Sequence, residues 1–101
     1  MHFPLHVMAR FRVRAEYLEA LLLLLAELAE LAERSRQEPG CLEYGYYQSV
    51  DDPLAFSSFE SWRTPADEVA HWQATHVRQV LVRVAPMLHA APEIVRAARI
   101  A

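Results

Sequence analysis

At 101 residues the chain has length for one core, and a single domain over 1–101 is expected. Formal net charge is −3 and all ten basic residues are Arg, with no basic block to neutralise a run of phosphates, which argues against nucleic acid as a partner. The longest apolar run, residues 20–26, falls far short of the roughly 20 residues a membrane span needs.

Residues 1–5 lack a basic segment followed by an apolar stretch, so no signal peptide is read there. The one cysteine, Cys41, can form no internal disulfide, which fits a reducing cytoplasm; with no cation beside it in sequence, it reads as a small buried hydrophobe. The absence of Lys and Asn beside abundant Ala, Leu, Glu and Arg points to a GC-rich bacterial genome. A hydrophobic content of 53 % is high for this size and favours an oligomer.

Residues 3–13 alternate, with Leu5, Val7, Ala9, Phe11 and Val13 on one face and His6, Met8, Arg10 and Arg12 on the other, which predicts a strand. From 16 to 36 the period becomes helical. Leu18, Leu21, Leu22, Leu25, Leu28, Ala29 and Ala32 mark the expected buried stripe, widened by Leu24 and Leu31. The leucines are not confined to heptad a and d positions, so a coiled coil is rejected. Pro39-Gly40 ends the helix.

Two runs rich in aromatic and small residues, about 42–49 and 55–62, flank Asp51-Asp52-Pro53 and predict a β-hairpin. Tyr44, Tyr46 and Gln48 share one face of its first strand; Phe56, Ser58, Glu60 and Trp62 share one face of its second. Neither strand splits cleanly into apolar and polar faces, so both faces are expected to be covered, one by helices and the other by a second subunit. Thr64-Pro65-Ala66-Asp67 starts a helix that reads on to about residue 88, with a break expected near Trp72-Gln73. Residues 93–100 alternate as a last strand. The order β-α-β-β-α-β predicts an α+β, ferredoxin-like fold, an antiparallel four-stranded sheet with helices on one face.

The segments Arg36-Gln37-Glu38-Pro39-Gly40-Cys41-Leu42, Ser49-Val50-Asp51-Asp52-Pro53, Phe59-Glu60-Ser61-Trp62, Ala70-His71 and Thr75-His76 resemble the antibiotic biosynthesis monooxygenase (ABM) domain family over nearly the whole chain. The resemblance implies a homodimer whose sheets pack face to face, a dimeric α/β barrel. It also implies a small aromatic or quinol-like substrate oxidised by molecular oxygen with no metal, flavin or other cofactor. Trp62 matches a tryptophan that lines the site in polyketide-oxidising relatives, and Trp72 stands where haem-degrading relatives carry a tryptophan. Those relatives also need an Asn on the first strand and a His about ten residues after the Trp; this chain has no Asn, and position 82 is Val82, which disfavours haem.

Within the resemblance, His76 is the preferred acid/base because a neutral-range imidazole can both take and give a proton. Glu60 or Arg83 joins it as a polar orienter, and Trp62, Trp72 and Tyr46 as walls. Trp72, Tyr44, Tyr46, His71 and Arg83 are the expected substrate-binding residues, with His76 sharing a helical flank with Trp72 and Arg83. A metal site is not expected, because five positions turn His71 and His76 well apart on a continuous helix. Two other readings remain open: a non-catalytic ligand-binding or stress-related dimer of the same fold, and an isomerase of a small phosphorylated sugar, which requires a basic pocket that Arg10, Arg12, Arg78 and Arg83 would have to converge to form.

Overall fold

The computed structural model describes residues 4–101, so the expected start of the first strand at Phe3 lies outside the described residues. Alternation of apolar residues produces β1 (Leu5–Arg12), with Val7 and Ala9 buried. A 3-10 segment, Ala15–Ala20, leads into α1 (Leu21–Ser35). The hairpin follows as β2 (Cys41–Gln48) and β3 (Ala55–Trp62), then α2 (Pro65–Gln73), α3 (Thr75–Val84), a short 3-10 turn at Ala85–Met87 and β4 (Glu93–Ala98). The strands form one antiparallel sheet in the order β2-β3-β1-β4, the ferredoxin-like arrangement.

Register then decides which side chains share the helix-covered face. Val7 pairs with Glu60 and Arg96, and Glu60 pairs with Tyr44, so Tyr44, Glu60, Val7 and Arg96 form one row across four strands. The adjacent rows hold Tyr46, Ser58 and Ala9, then Gln48, Phe56 and Phe11. A one-residue slip would turn every one of these to the opposite face. The turn that fixes the hairpin register is built as its sequence predicts. Ser49 Oγ accepts from the backbone N–H groups of Asp51 and Asp52, and Asp52 Oδ1 accepts from that of Leu54.

The apolar stripe of α1 has a different phase from the expected one. Leu24, Leu28, Leu31 and Ala32 are buried, whereas Leu18 and Leu22 are 53 % and 80 % exposed. Five consecutive leucines at 21–25 present an apolar side chain in every direction, so periodicity alone could not choose the seam. The 3-10 start, with a tighter turn than an α-helix, accounts for the lost stripe position at Leu18. Leu24, Leu28 and Leu31 pack with Phe56, Val77, Val80 and Val84, each buried apolar side chain contributing about 1.5–3 kcal/mol.

The second helical region breaks at Ala74, whose extended φ −65°, ψ 140° separates α2 from α3. Thr64 caps α2 by accepting from the Asp67 N–H at 3.2 Å, with Pro65 at the first helical position. Away from the helices, the other sheet face carries Tyr47, Phe59 and Val95, which are 54 %, 44 % and 52 % exposed.

Candidate active site

The loop after α1 positions the first element of the site. Gly40 takes φ +78°, a conformation glycine adopts without steric cost, and a Cβ there would overlap the Asp67 carboxylate. Glu-Pro-Gly can therefore fold tightly against the first turn of α2. Glu38 enters the turn with its N–H donating to Ser35 and its carbonyl accepting from Cys41, and its side chain meets two histidines. His71 Nδ1 lies 2.9 Å from Glu38 Oε2 and His76 Nε2 lies 2.7 Å from the same oxygen.

On a continuous helix, positions 71 and 76 would be about 140° apart. The break at Ala74 overturns that geometric objection: the ligand atoms of Glu38, His71 and His76 all lie within 4.8 Å of one another. The same break separates Trp72 from the flank it was expected to share with His76. His76 and Arg83 instead line a shallow hollow of about 70 Å³ with Gln79 and residues of α1, where Arg83 pairs with Glu27 at 2.7 Å.

From His71 a polar chain runs inward. Its Nε2 lies 3.4 Å from the Tyr44 hydroxyl, which lies 2.9 Å from the Tyr46 hydroxyl. Burial pushes the Tyr44 hydroxyl far above the usual phenol range and Tyr46 up to about 12, so both remain protonated at neutral pH. Trp62 is fully buried behind them, its ring centroid 4.8 Å from that of His71 and 6.2 Å from that of Tyr44.

Glu60 is buried beside this chain, in the Tyr44 row. Its Oε2 accepts from the Ser58 hydroxyl at 2.8 Å and its Oε1 from the Trp62 indole N–H at 3.1 Å. Burial raises its pKa above the usual carboxylate value, and those two hydrogen bonds oppose the shift without cancelling it. Glu68 contrasts with it. Burial would also raise Glu68, but Arg96 Nε donates to it at 2.8 Å and the Trp72 indole N–H at 2.6 Å, and the net shift is downward.

Of the expected site residues, Tyr44, Tyr46, His71, His76 and Trp62 come together, Glu60 lies alongside, Trp72 packs on His71 at 5.3 Å between ring centroids, and Arg83 stands apart. Tyr46 also lines a cleft of about 440 Å³ between α1 and β2, with Leu25, Leu28, Ala32, Arg36, Gln48 and Phe56. Glu38, Ser58, Glu68 and Arg96 were not singled out from the sequence. Glu68 had a signal in its i, i+4 spacing to Trp72, and Glu38 in its place directly before the helix-ending Pro-Gly. Cys41 is only partly buried, short of the expected burial, and its thiol is raised to about 11, chiefly by desolvation.

With this geometry in view, the comparisons with known proteins are consistent. The antibiotic biosynthesis monooxygenase family matches residues 4–83. An uncharacterized protein of Synechocystis sp., sll1783, is 30 % identical over 98 residues, which are 97 % of this chain and 64 % of that protein's length. The crystal structure of PA3566 from Pseudomonas aeruginosa superposes with a TM-score of 0.87 at 30 % identity, covering 100 % of this chain and 98 % of that one. Rv0793 from Mycobacterium tuberculosis gives a TM-score of 0.85 at 26 % identity, covering 98 % and 97 %. The chain belongs to the antibiotic biosynthesis monooxygenase family.

Proposed function

We propose that the chain is a cofactor-independent monooxygenase that oxidises a small aromatic or quinol-like compound with molecular oxygen, acting as a homodimer. The observation that carries this reading is the α1–β2 cleft, apolar over Leu25, Leu28, Ala32 and Phe56 and bounded by Tyr46, whose hydroxyl is backed by Tyr44 and His71. A flat ring fits such walls, and a pocket of this type needs few polar groups. In an anthrone-like substrate, transfer of a proton from the ring CH2 to water gives an electron-rich anion, and that proton is returned to the peroxide formed when oxygen adds. Oxygen then supplies one atom to that carbon, which becomes C=O, and the other leaves as water.

Tyr46, protonated at neutral pH, is the group to donate a hydrogen bond to the substrate oxyanion, with the Tyr44 hydroxyl 2.9 Å behind it. In this arrangement Trp62 and Glu60 hold Tyr44 and His71 in place, while His76 supports His71 through Glu38. The test is oxygen uptake by metal-stripped protein with anthrones, dihydroxynaphthalenes and hydroquinones. Uptake above autoxidation is expected, falling about 100-fold in Tyr46→Phe. Uptake unchanged in that variant would refute the site. No uptake with any compound would refute the oxygenase and favour a ligand-binding dimer.

A second reading has one specific observation behind it. Arg10, Arg12 and His89 border one open hollow of about 600 Å³ that Glu93 also lines, which places some of the basic groups a phosphorylated sugar requires along one rim. Arg12 is already paired with Asp52 at 3.0 Å, so the hollow offers less free charge than its residue list implies.

A further inference from the structure

We propose that Glu38, His71 and His76 form a binding site for one divalent cation of the zinc class. Two imidazoles and one carboxylate are a ligand set that suits Zn2+ and its spectroscopic substitute Co2+, and three protein ligands leave a coordination position for water. Among the described residues this is where such a group converges.

The three elements that carry the ligands are held independently of any ion. Glu38 sits in the Pro-Gly turn, His71 in the last turn of α2 and His76 in the first turn of α3. Two of the three ligand pairs are 2.7 and 2.9 Å apart, and the third is no more than 4.8 Å. Tetrahedral coordination at about 2.0–2.1 Å needs each pair near 3.3 Å, so the site closes with a shift of roughly 1.5 Å at most. The side chains of Glu38 and His76 are 13 % and 20 % exposed, which gives the ion a path from solvent, while that of His71 is wholly buried and forms the inner wall.

The outer shell fits the same assignment. A metal-bound histidine characteristically hydrogen-bonds through its other ring nitrogen, which fixes the tautomer. Without an ion His71 Nδ1–H donates to Glu38; an ion on Nδ1 would displace that proton, and Nε2, 3.4 Å from the Tyr44 hydroxyl, would then carry the ring N–H and donate there. A cation on Nδ1 would polarise the Nε2–H and, through Tyr44, strengthen Tyr46 as a donor. No electron transfer is required of the ion. Binding is independent of whether the chain is an oxygenase.

The test is titration of the untagged, chelator-treated protein with Co2+, followed by visible absorption, and with Zn2+, followed by calorimetry. One equivalent per chain is expected for the wild type, with affinity at least tenfold weaker in His76→Ala and in Glu38→Gln. Both positions are near the surface, so these variants keep the test readable if His71→Ala fails to fold. His6→Ala and His89→Ala, outside the group, are expected to bind as the wild type does. Saturation absent at 100 µM metal, or undiminished affinity in His76→Ala and Glu38→Gln, would overturn the site and leave the group as a hydrogen-bonded His-Glu-His bridge.

Discussion

Gly40→Ala is the sharpest probe of how the loop before β2 sets up the site. Two costs follow from the structure. A residue with a Cβ at φ +78° costs about 1–2 kcal/mol in backbone strain. The added Cβ would also overlap the Asp67 carboxylate, so that side chain must swing away, and it would come within 2.7 Å of the Asp67 Cβ, which only a shift of the backbone relieves. Swinging away breaks its 2.9 Å hydrogen bond from the Thr64 hydroxyl, worth about 0.5–1.5 kcal/mol. The sum is at least about 1.5–3.5 kcal/mol, or a fall of roughly 6–28 °C in Tm for a chain of this size. Urea unfolding followed by Trp62 and Trp72 fluorescence, at fixed protein concentration, measures it. Gly40→Asn separates the two costs, because Asn tolerates the left-handed region and meets only the overlap. A loss below about 0.5 kcal/mol for Gly40→Ala would refute the reasoning.

Two further predictions concern charge and assembly. A carboxyl that folding raises, as burial raises Glu60, adds stability at low pH and loses it as pH climbs from its ordinary value of 4.5 through the folded one. Glu60→Gln retains an acceptor for Trp62 and supplies a donor to Ser58, so it is expected to stabilise the protein near neutral pH, with the gain shrinking towards about pH 4. Urea titrations across that range that show no pH-dependent difference from wild type would contradict the assignment. Phe59→Glu places a charge in the middle of the uncovered sheet face beside Tyr47; a wild-type dimer and a monomeric variant are expected by light scattering at micromolar concentration, and a monomeric wild type would refute a dimer built on that face.

The strands and the hairpin were legible because period-two alternation leaves few choices: Phe56, Ser58, Glu60 and Trp62 lie on one face as their spacing requires, and all four are buried. The seam of α1 was not legible, since a leucine in every direction carries no phase. The site was half legible. Tyr44, Tyr46 and His71 stood out as residues, but their union with Glu38 depends on a tertiary approach between a turn and a helix 33 positions away, which no local pattern encodes. The meeting of His71 with His76 depends on one extended residue, Ala74.

That residue also divides the mechanical roles of the two helices. At 9 and 10 residues each, α2 and α3 are below the length of about 12–15 residues at which an isolated helix persists in water. α3 is anchored by the buried Val77, Val80 and Val84, whereas the buried side chains of α2 are Glu68 and His71, both polar. Apolar burial therefore secures α3, while α2 adds to the partly buried Trp72 a set of directional bonds to Glu38, Arg96 and Thr64. Water and solutes that compete for those bonds act on α2 first, and the element that opens most readily is the one that carries His71.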